Sequence, residues 1–198
     1  MDFLCSDLHI NHHNIIRYCR RPFADVEEMN RVLIENWNNT VNETGDTVYL
    51  AGDAIMGDRT LVPQFLRQLH GHIVLIRGNH DHKRSLEHFP EWYERIVLPM
   101  GGGRFMEVVH SPYDALQTHA MVACGHVHDA WRVRLPGEPV EADLVADHTR
   151  KGEAFVPRVP FVNVGTDVNN FRPITVASVV REYDEWKRAQ VGAKDFPK

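Results

Sequence analysis

The sequence predicts an α/β fold in which two β-sheets pack against each other and helices lie outside them. Three observations support this prediction. The first half of the chain alternates strand patterns with helical patterns, and the second half consists mostly of strands. The apolar run 73–76 is continuous, as in a strand that is covered on both faces. At 198 residues and 43% hydrophobic content, the chain can bury a core as a single domain over residues 1–198.

The elements of the first half follow from local signals. A short strand is expected at 3–5. Asp25, with Glu28 three residues later, predicts the start of a helix whose apolar residues recur at helical spacing. A strand over 47–51, a second helix through 61–69 and the strand at 73–76 follow.

The second half is predicted to be rich in strands. Strands are expected at 96–98, 105–109, 121–124, 160–164 and 174–179, and a closing helix at 182–190. The segment 135–159 is rich in Pro, Gly and charge, and we interpret it as a long excursion on the active face.

Composition excludes some function classes. The formal charge of -5 does not suit a stable nucleic-acid complex, which favours a basic surface. No apolar stretch approaches the roughly 18 residues that a membrane span needs. The chain has three cysteines without a close pair, and a strand is expected almost at the first residue, where a signal segment would lie. We therefore expect reduced thiols and a cytoplasmic protein.

Five runs of metal-binding residue types lie at, or next to, the ends of predicted strands. The carboxyl ends of strands in an open α/β sheet converge on one crevice, so the five runs are expected to meet there. The runs are Asp7-Leu8-His9, Gly52-Asp53, Gly78-Asn79-His80-Asp81, His110 and Gly125-His126-Val127-His128.

These residue types suit a site for two divalent metal ions. Oxygen ligands mixed with imidazole favour Mn²⁺, with Fe²⁺, Zn²⁺ or Ni²⁺ as alternatives. Asp53 follows a glycine and is the expected bridging ligand, and Asn79 offers a neutral carbonyl oxygen. Two ions about 3.5–4 Å apart can activate a shared water and clamp an in-line displacement at phosphorus. His80 is placed to protonate the leaving oxygen, with Asp81 as a candidate to orient its imidazole.

In these runs the chain resembles the calcineurin-like metallophosphoesterases, in particular their small bacterial and phage phosphodiesterases, including one from a mycobacteriophage. The resemblance extends over the segments 14–19, 21–23, 163–167 and 171–173. It implies a four-layer α/β/β/α sandwich of two mixed β-sheets flanked by helices. It also implies His80 as the catalytic acid and two metal sites that share one ligand. The first site would use Asp7, His9, Asp53 and His128, and the second Asp53, Asn79, His110 and His126.

The predicted function is a phosphodiesterase in which a metal-bound hydroxide attacks small diesters such as cyclic nucleotides. Substrate contacts are expected from Asn79, His80, Arg17 and Arg21, because the forked guanidinium matches phosphate geometry. A solvated basic turn is the alternative interpretation of the two arginines. The alternatives to the function are a phosphomonoesterase or nucleotide pyrophosphatase that uses the same ions, and a non-catalytic scaffold of the same fold.

Overall fold

Two five-stranded mixed β-sheets form the frame of the protein in a computed structural model, which describes residues 1–140 and 154–194. The strands are β1 (Asp2–Cys5), β2 (Thr47–Leu50), β3 (His72–Ile76), β4 (Glu91–Tyr93), β5 (Ile96–Gly101), β6 (Arg104–Val109), β7 (Met121–Cys124), β8 (Val133–Arg134), β9 (Phe161–Asn163) and β10 (Ile174–Thr175). The helices are α1 (His13–Tyr18), α2 (Val26–Asn38), α3 (Val62–Leu66), α4 (Lys83–Leu86) and α5 (Val176–Lys194). Short 3₁₀ turns occur at Arg59–Leu61, Pro112–Asp114 and Thr166–Val168.

The strand order brings the ends of the central strands together. The first sheet has the order β10-β1-β2-β3-β4, in which β1 to β4 are parallel and β10 is antiparallel. The second sheet has the order β5-β6-β7-β9-β8, in which β6, β7 and β9 are parallel and the two edge strands are antiparallel. In each sheet the parallel strands therefore end at the same edge, where the loops that carry the motif residues begin.

The hydrophobic core has one layer between the sheets and one on the outer face of each sheet. The inter-sheet layer contains Leu4, Ile76 and Met106, together with Val179 of α5. On the outer face of the first sheet, buried side chains of α2 pack against β1 and β2. The outer face of the second sheet is covered by Trp131 and by aromatic side chains from neighbouring loops. The predicted fold class, α/β with two packed mixed sheets flanked by helices, is confirmed.

Helix α2 begins as its sequence predicts. The side chain of Asp25 accepts a hydrogen bond from the Glu28 amide at 2.8 Å, which satisfies one of the open donors of the first turn. The Glu28 carboxylate in turn accepts a hydrogen bond from the Ala24 amide at 2.7 Å. The apolar residues at helical spacing, including Met29 and Trp37, are buried against the first sheet.

The prediction of a strand over 174–179 is wrong beyond Thr175. The chain turns into α5 at Val176, and the helix is longer than the predicted 182–190. The Thr175 hydroxyl accepts a hydrogen bond from the Ser178 amide at 3.0 Å and so caps the first turn. Val179 and Tyr183, one helical turn apart, are buried in the inter-sheet core. Tertiary packing here overrides the strand preference of the β-branched residues.

Most of the excursion that we predicted at 135–159 lies outside the described residues. Where the description stops and resumes, Val140 and Phe155 form an isolated antiparallel bridge, in which the Val140 amide donates to the Phe155 carbonyl at 2.9 Å.

The cysteines are unpaired, as expected: Cys5 and Cys124 are buried, and Cys19 is partly exposed. None of the helices in residues 1–140 and 154–194 has the length and apolar character needed to cross a bilayer.

Candidate metal centre

The loops after β1 and β2 run side by side beyond the end of the first sheet. The Asp7 amide donates to the Gly52 carbonyl at 3.0 Å, and the His9 amide donates to the Asp53 carbonyl at 2.9 Å. Backbone pairing thus continues past the strands, where these amides would otherwise need other partners. It fixes Asp7, His9 and Asp53 relative to one another.

The second sheet delivers its residues to the same place. The Gly125 amide donates to the His110 carbonyl at 2.9 Å, so the loops after β6 and β7 are also paired. The His126 amide donates to the Asp7 carboxylate at 2.9 Å, which joins the two sheets at their carboxyl edges. The backbone contacts of these loops therefore bring residues from four strand ends together.

The backbone of this centre is strained. Residues two apart on an extended strand share a face but lie about 6.5 Å apart along it, so the chain must turn to bring Asp7 and His9 to one point. Five of the predicted ligands have φ in the left-handed region, where a non-glycine residue costs on the order of 1–3 kcal/mol. They are Asp7 (56°), His9 (50°), Asp53 (54°), His126 (71°) and His128 (45°).

One group of ligand atoms gathers beside β6. The carbonyl oxygen of the Asn79 side chain lies 2.8 Å from His110 Nε2 and 3.0 Å from His126 Nδ1. The two imidazole nitrogens are 3.2 Å apart. Asp53 Oδ2 lies 3.4 Å from His110 Nε2. These four side chains point their donor atoms into one small volume.

A second group lies beside β1. Ligand atoms of Asp7, His9 and His128 all lie within 4.8 Å of one another. His9 Nε2 is 3.8 Å from Asp7 Oδ1 and 3.5 Å from Asp53 Oδ2. The two groups therefore meet at Asp53, whose Oδ2 lies between a histidine of each group. This is the geometry that a bridging carboxylate needs.

The ligand atoms of the group beside β1 (Asp7, His9 and His128) fit a divalent cation. Asp7 Oδ1 and His9 Nε2 are buried and, among the described residues, have no hydrogen-bond partner. Leaving such atoms unpaired costs roughly 1–3 kcal/mol each, and a cation between them would remove that cost. Burial lowers the pKa of His9 well below its usual range, and the neighbouring His128 and Arg21 act in the same direction. A neutral imidazole is the form that binds metal.

Two of the histidines are oriented by partners behind them. His110 Nδ1 lies 2.8 Å from the Ala51 carbonyl, which directs Nε2 to the centre. His128 Nδ1 lies 3.1 Å from the Asp167 carboxylate. Burial opposes protonation of His128, but Asp167 and other neighbours raise its pKa to about 11 in the metal-free protein, so a cation at this imidazole would have to displace a proton. Partners of this kind set the tautomer and the angle of a metal-binding imidazole. The role of Asp167 was missed because nothing in the local sequence links it to His128.

The prediction that Arg21 grips a phosphate is wrong. Its guanidinium is buried and makes a forked ion pair with Asp167, with Nε at 2.8 Å and Nη2 at 2.9 Å from the two carboxylate oxygens. It also donates to the carbonyls of Asp7 and Leu8 at 2.7 and 2.9 Å. With its donors used inside the protein, Arg21 supports the loop after β1 that carries Asp7 and His9. Arg17, in contrast, is exposed, and its guanidinium lies 5.4 Å from the centre of the Tyr18 ring.

Asp81 also has a different role from the one we predicted. Its buried carboxylate accepts hydrogen bonds from the amides of Asp53 at 2.8 Å, Gly78 at 2.8 Å and Ala54 at 3.2 Å. It therefore ties the loop after β2 to the loop after β3. The loop after β3 lies so close to the loop after β2 that a Cβ on Gly78 would overlap the Asp53 carboxylate. Asp81 holds the backbone at Asp53 in place and, among the described contacts, does not orient the imidazole of His80.

His80 lies at the open side of the centre. Its amide donates to Asp53 Oδ1 at 2.9 Å, and its Nε2 lies 4.0 Å from Asp53 Oδ2. The side chain is 43% exposed, and its ring meets the ring of His9 edge to face at 5.5 Å. The imidazole is thus next to both ligand groups and open to solvent.

Comparison with known proteins gives a family but no activity. No family model matches the chain. The uncharacterized protein MJ1445 of Methanocaldococcus jannaschii is 34% identical over 189 residues, which cover 93% of this chain and 92% of that protein. The crystal structure of the protein of unknown function AQ665 from Aquifex aeolicus superposes with a TM-score of 0.64 at 22% identity, covering 94% of this chain and 98% of that one. That likeness shows the fold alone. On the first comparison, the chain belongs to the family of MJ1445.

Proposed function

We propose that this protein is a phosphodiesterase of the calcineurin-like metallophosphoesterase type that depends on two divalent metal ions. One observation carries the proposal. Asp53 Oδ2 lies 3.5 Å from His9 Nε2 and 3.4 Å from His110 Nε2, so a single carboxylate serves two separate groups of ligand atoms. A carboxylate shared in this way, with nitrogen and oxygen donors on both sides, is the protein part of a two-ion site.

One ion would be held by Asp7, His9 and His128, and the other by Asn79, His110 and His126. Asp53 would contribute to both sites. The mixed nitrogen and oxygen donors favour Mn²⁺, with Fe²⁺, Zn²⁺ or Ni²⁺ as alternatives. When bound, such ions polarise the phosphoryl oxygens and make water nucleophilic at neutral pH.

The remaining steps belong to the side chains of the protein. Asn79 is exposed and uses its carbonyl oxygen inside the centre, so its amide group is left to donate to a phosphoryl oxygen. His80 has an imidazole that is open to solvent beside Asp53. We assign to it the transfer of a proton to the departing oxygen of the substrate.

The charges around the centre favour a diester over a monoester. A monoester carries about −1.5 to −2 at neutral pH and needs more positive charge than a diester with its single charge. Two arginines near the centre are neutralised within the protein. Arg21 pairs with Asp167 at 2.8 Å, and Arg77 pairs with Glu94 at 3.2 Å. The substrate class that fits is a small phosphodiester such as a cyclic nucleotide, with the exposed Arg17 as the remaining arginine candidate for a contact.

The formal charge and the cysteines support a proposal for the cellular compartment and the kind of partner. A formal charge of -5 gives no basic surface for a stable nucleic-acid complex. Three unpaired cysteines suit a reducing compartment. We therefore assign the protein to the cytoplasm, with a small-molecule substrate and without a membrane partner.

The test compares two chromogenic esters on the full chain, stripped of metal and then supplied with Mn²⁺. We expect bis-p-nitrophenyl phosphate to be hydrolysed faster than p-nitrophenyl phosphate, and only when Mn²⁺ is present. Asp53→Ala should abolish the activity. Asp46→Ala is the matched control, because Asp46 is a buried carboxylate at the opposite end of β2. Faster hydrolysis of the monoester would make the protein a phosphomonoesterase, and hydrolysis of neither would make it a non-catalytic scaffold.

A further inference from the structure

An exposed aromatic ring lies next to the proposed catalytic centre and has no part in either ligand group. Tyr18, the last residue of α1, is 61% exposed. Its ring meets the ring of His12 edge to face, with 6.4 Å between the ring centres. The His12 ring in turn lies 5.2 Å from that of the ligand candidate His9 and 6.4 Å from that of His80. Tyr18 is therefore reached from the centre through a single intervening imidazole ring.

The short helix that carries Tyr18 is fixed to the structure around the centre. Before the helix, the His12 amide donates to the His9 carbonyl at 3.0 Å. Within the helix, Ile15 is buried in the core on the outer face of the first sheet. After the helix, the buried guanidinium of Arg21 binds the backbone of the loop after β1. The Tyr18 ring is thus held on a support that also positions metal-ligand candidates, so little order is lost or gained when a ligand contacts it.

The surroundings of Tyr18 are polar. The other exposed side chains of α1 belong to His13, Asn14 and Arg17. The ring is therefore not part of the contiguous apolar patch that marks a protein interface. The Arg17 guanidinium lies 5.4 Å from the centre of the ring, and no carboxylate in the described part of the chain pairs with it. An exposed aromatic face beside a cation is an arrangement on which nucleobases stack.

A nucleobase fits both the position and the chemistry of this ring. In a nucleotide, a five-membered ribose separates the phosphate from the base. With the phosphate at the metal centre, the ribose would lie over His12 and the base would reach Tyr18. The base is uncharged, so its contact with the ring does not depend on the charges of the two ions. We propose that Tyr18 is the platform on which the nucleobase of a nucleotide diester stacks. The inference rests on the proposed phosphodiesterase function and narrows its substrates to nucleotides.

The test measures the binding of two monophosphates to the Mn²⁺-loaded full chain by calorimetry. The riboside 5′-monophosphate of 2-aminopurine carries a base, and ribose 5-phosphate is the same compound without one. Dividing the two dissociation constants on the same protein cancels changes at the metal centre. The fluorescence of 2-aminopurine is quenched when the base stacks on an aromatic ring, so it reports the contact directly.

Three variants isolate the ring. Tyr18→Ala removes it, and Tyr18→Phe keeps the aromatic face without the hydroxyl. Phe105→Ala is the matched control, because Phe105 is also an exposed aromatic residue but lies near the start of β6, at the opposite end of that strand from His110.

The base should add affinity wherever the aromatic face is present. In the wild type, in Tyr18→Phe and in Phe105→Ala, the 2-aminopurine nucleotide should bind roughly 5–150-fold more tightly than ribose 5-phosphate, the range expected for one stacked base. Its fluorescence should be quenched on binding. In Tyr18→Ala the ratio should fall to about one and the quenching should be lost, while ribose 5-phosphate binds as in the wild type.

Three results would overturn the inference. They are a wild type in which the base adds no affinity, a Tyr18→Ala protein that keeps the wild-type ratio and quenching, and a Tyr18→Phe protein that loses both. The Mn²⁺-dependent hydrolysis of bis-p-nitrophenyl phosphate by the same preparations tests the proposed function separately. A protein that hydrolyses this ester but gains nothing from the base refutes the platform alone. A protein that does not hydrolyse it loses the proposed function, and the two affinities still decide whether a base binds Tyr18.

Discussion

Asp81→Asn should loosen the metal centre without removing a metal ligand. The carboxylate accepts hydrogen bonds from three backbone amides, at 2.8, 2.8 and 3.2 Å. An asparagine keeps one acceptor oxygen, so its NH₂ group must face at least one of these amides. One buried donor is then left unpaired, which costs roughly 1–3 kcal/mol, and the remaining bonds lose the benefit of the ionic acceptor. We estimate a total of about 3 kcal/mol, shared between the loops after β2 and β3.

Two readouts separate positioning of the bridging ligand from general stability. At about 2–4 °C per kcal/mol for a chain of this size, the melting temperature of the metal-free protein should fall by roughly 6–12 °C. Mn²⁺ affinity, followed by the electron paramagnetic resonance of free Mn²⁺, should fall about 10–100-fold, as for other residues that support metal ligands. Asp46→Asn is the control, because Asp46 also accepts a backbone hydrogen bond, from Asn42 at 2.9 Å, but at the opposite end of β2. An Asp81→Asn protein that melts earlier but keeps wild-type Mn²⁺ affinity would refute the positioning role.

Three further predictions concern the leaving group, the support of His128 and the thiols. His80→Ala should slow a nucleotide diester about 10²–10⁴-fold and bis-p-nitrophenyl phosphate much less, since nitrophenolate leaves without a proton; equal losses on both substrates would remove the general-acid assignment. Asp167→Ala should weaken Mn²⁺ binding about 10–100-fold, because His128 loses the partner that lies 3.1 Å from its Nδ1; an unchanged Mn²⁺ affinity would show that this contact does not support the ligand. In the native protein, Ellman's reagent should react with the partly exposed Cys19 alone, since Cys5 and Cys124 are buried and burial raises the pKa of both thiols; a rapid reaction of all three in the native state would contradict this packing.

The sequence predicted the location of the centre because strand ends are visible in a sequence. An apolar run that stops at a short polar motif marks both a buried strand and the loop that follows it. The parallel order of β1 to β3 then forces those loops to one edge. The left-handed φ angles of residues such as Asp7 and His9 could not be predicted, since their amino-acid types are common in ordinary turns.

Long-range pairing explains the errors around the site. Arg17 and Arg21 lie in one basic stretch, and nothing in the local sequence distinguishes them. Arg21 is buried because Asp167, far along the chain, meets its guanidinium at 2.8 Å. The strand at 174–179 was overestimated for a similar reason. Its apolar residues fit a strand locally, but Val179 completes the inter-sheet core from a helix. In both cases the deciding contact is distant in sequence.

The most direct test of the two-ion centre is the number of Mn²⁺ ions bound per chain, measured by elemental analysis after exhaustive buffer exchange. The shared position of Asp53, 3.5 Å from His9 and 3.4 Å from His110, predicts about two ions per chain in the wild type. It also predicts that Asp53→Ala loses affinity at both sites, whereas Asp46→Ala keeps both ions. A wild type that retains full activity with well under one ion per chain, or an Asp53→Ala protein that still binds two, would contradict the account.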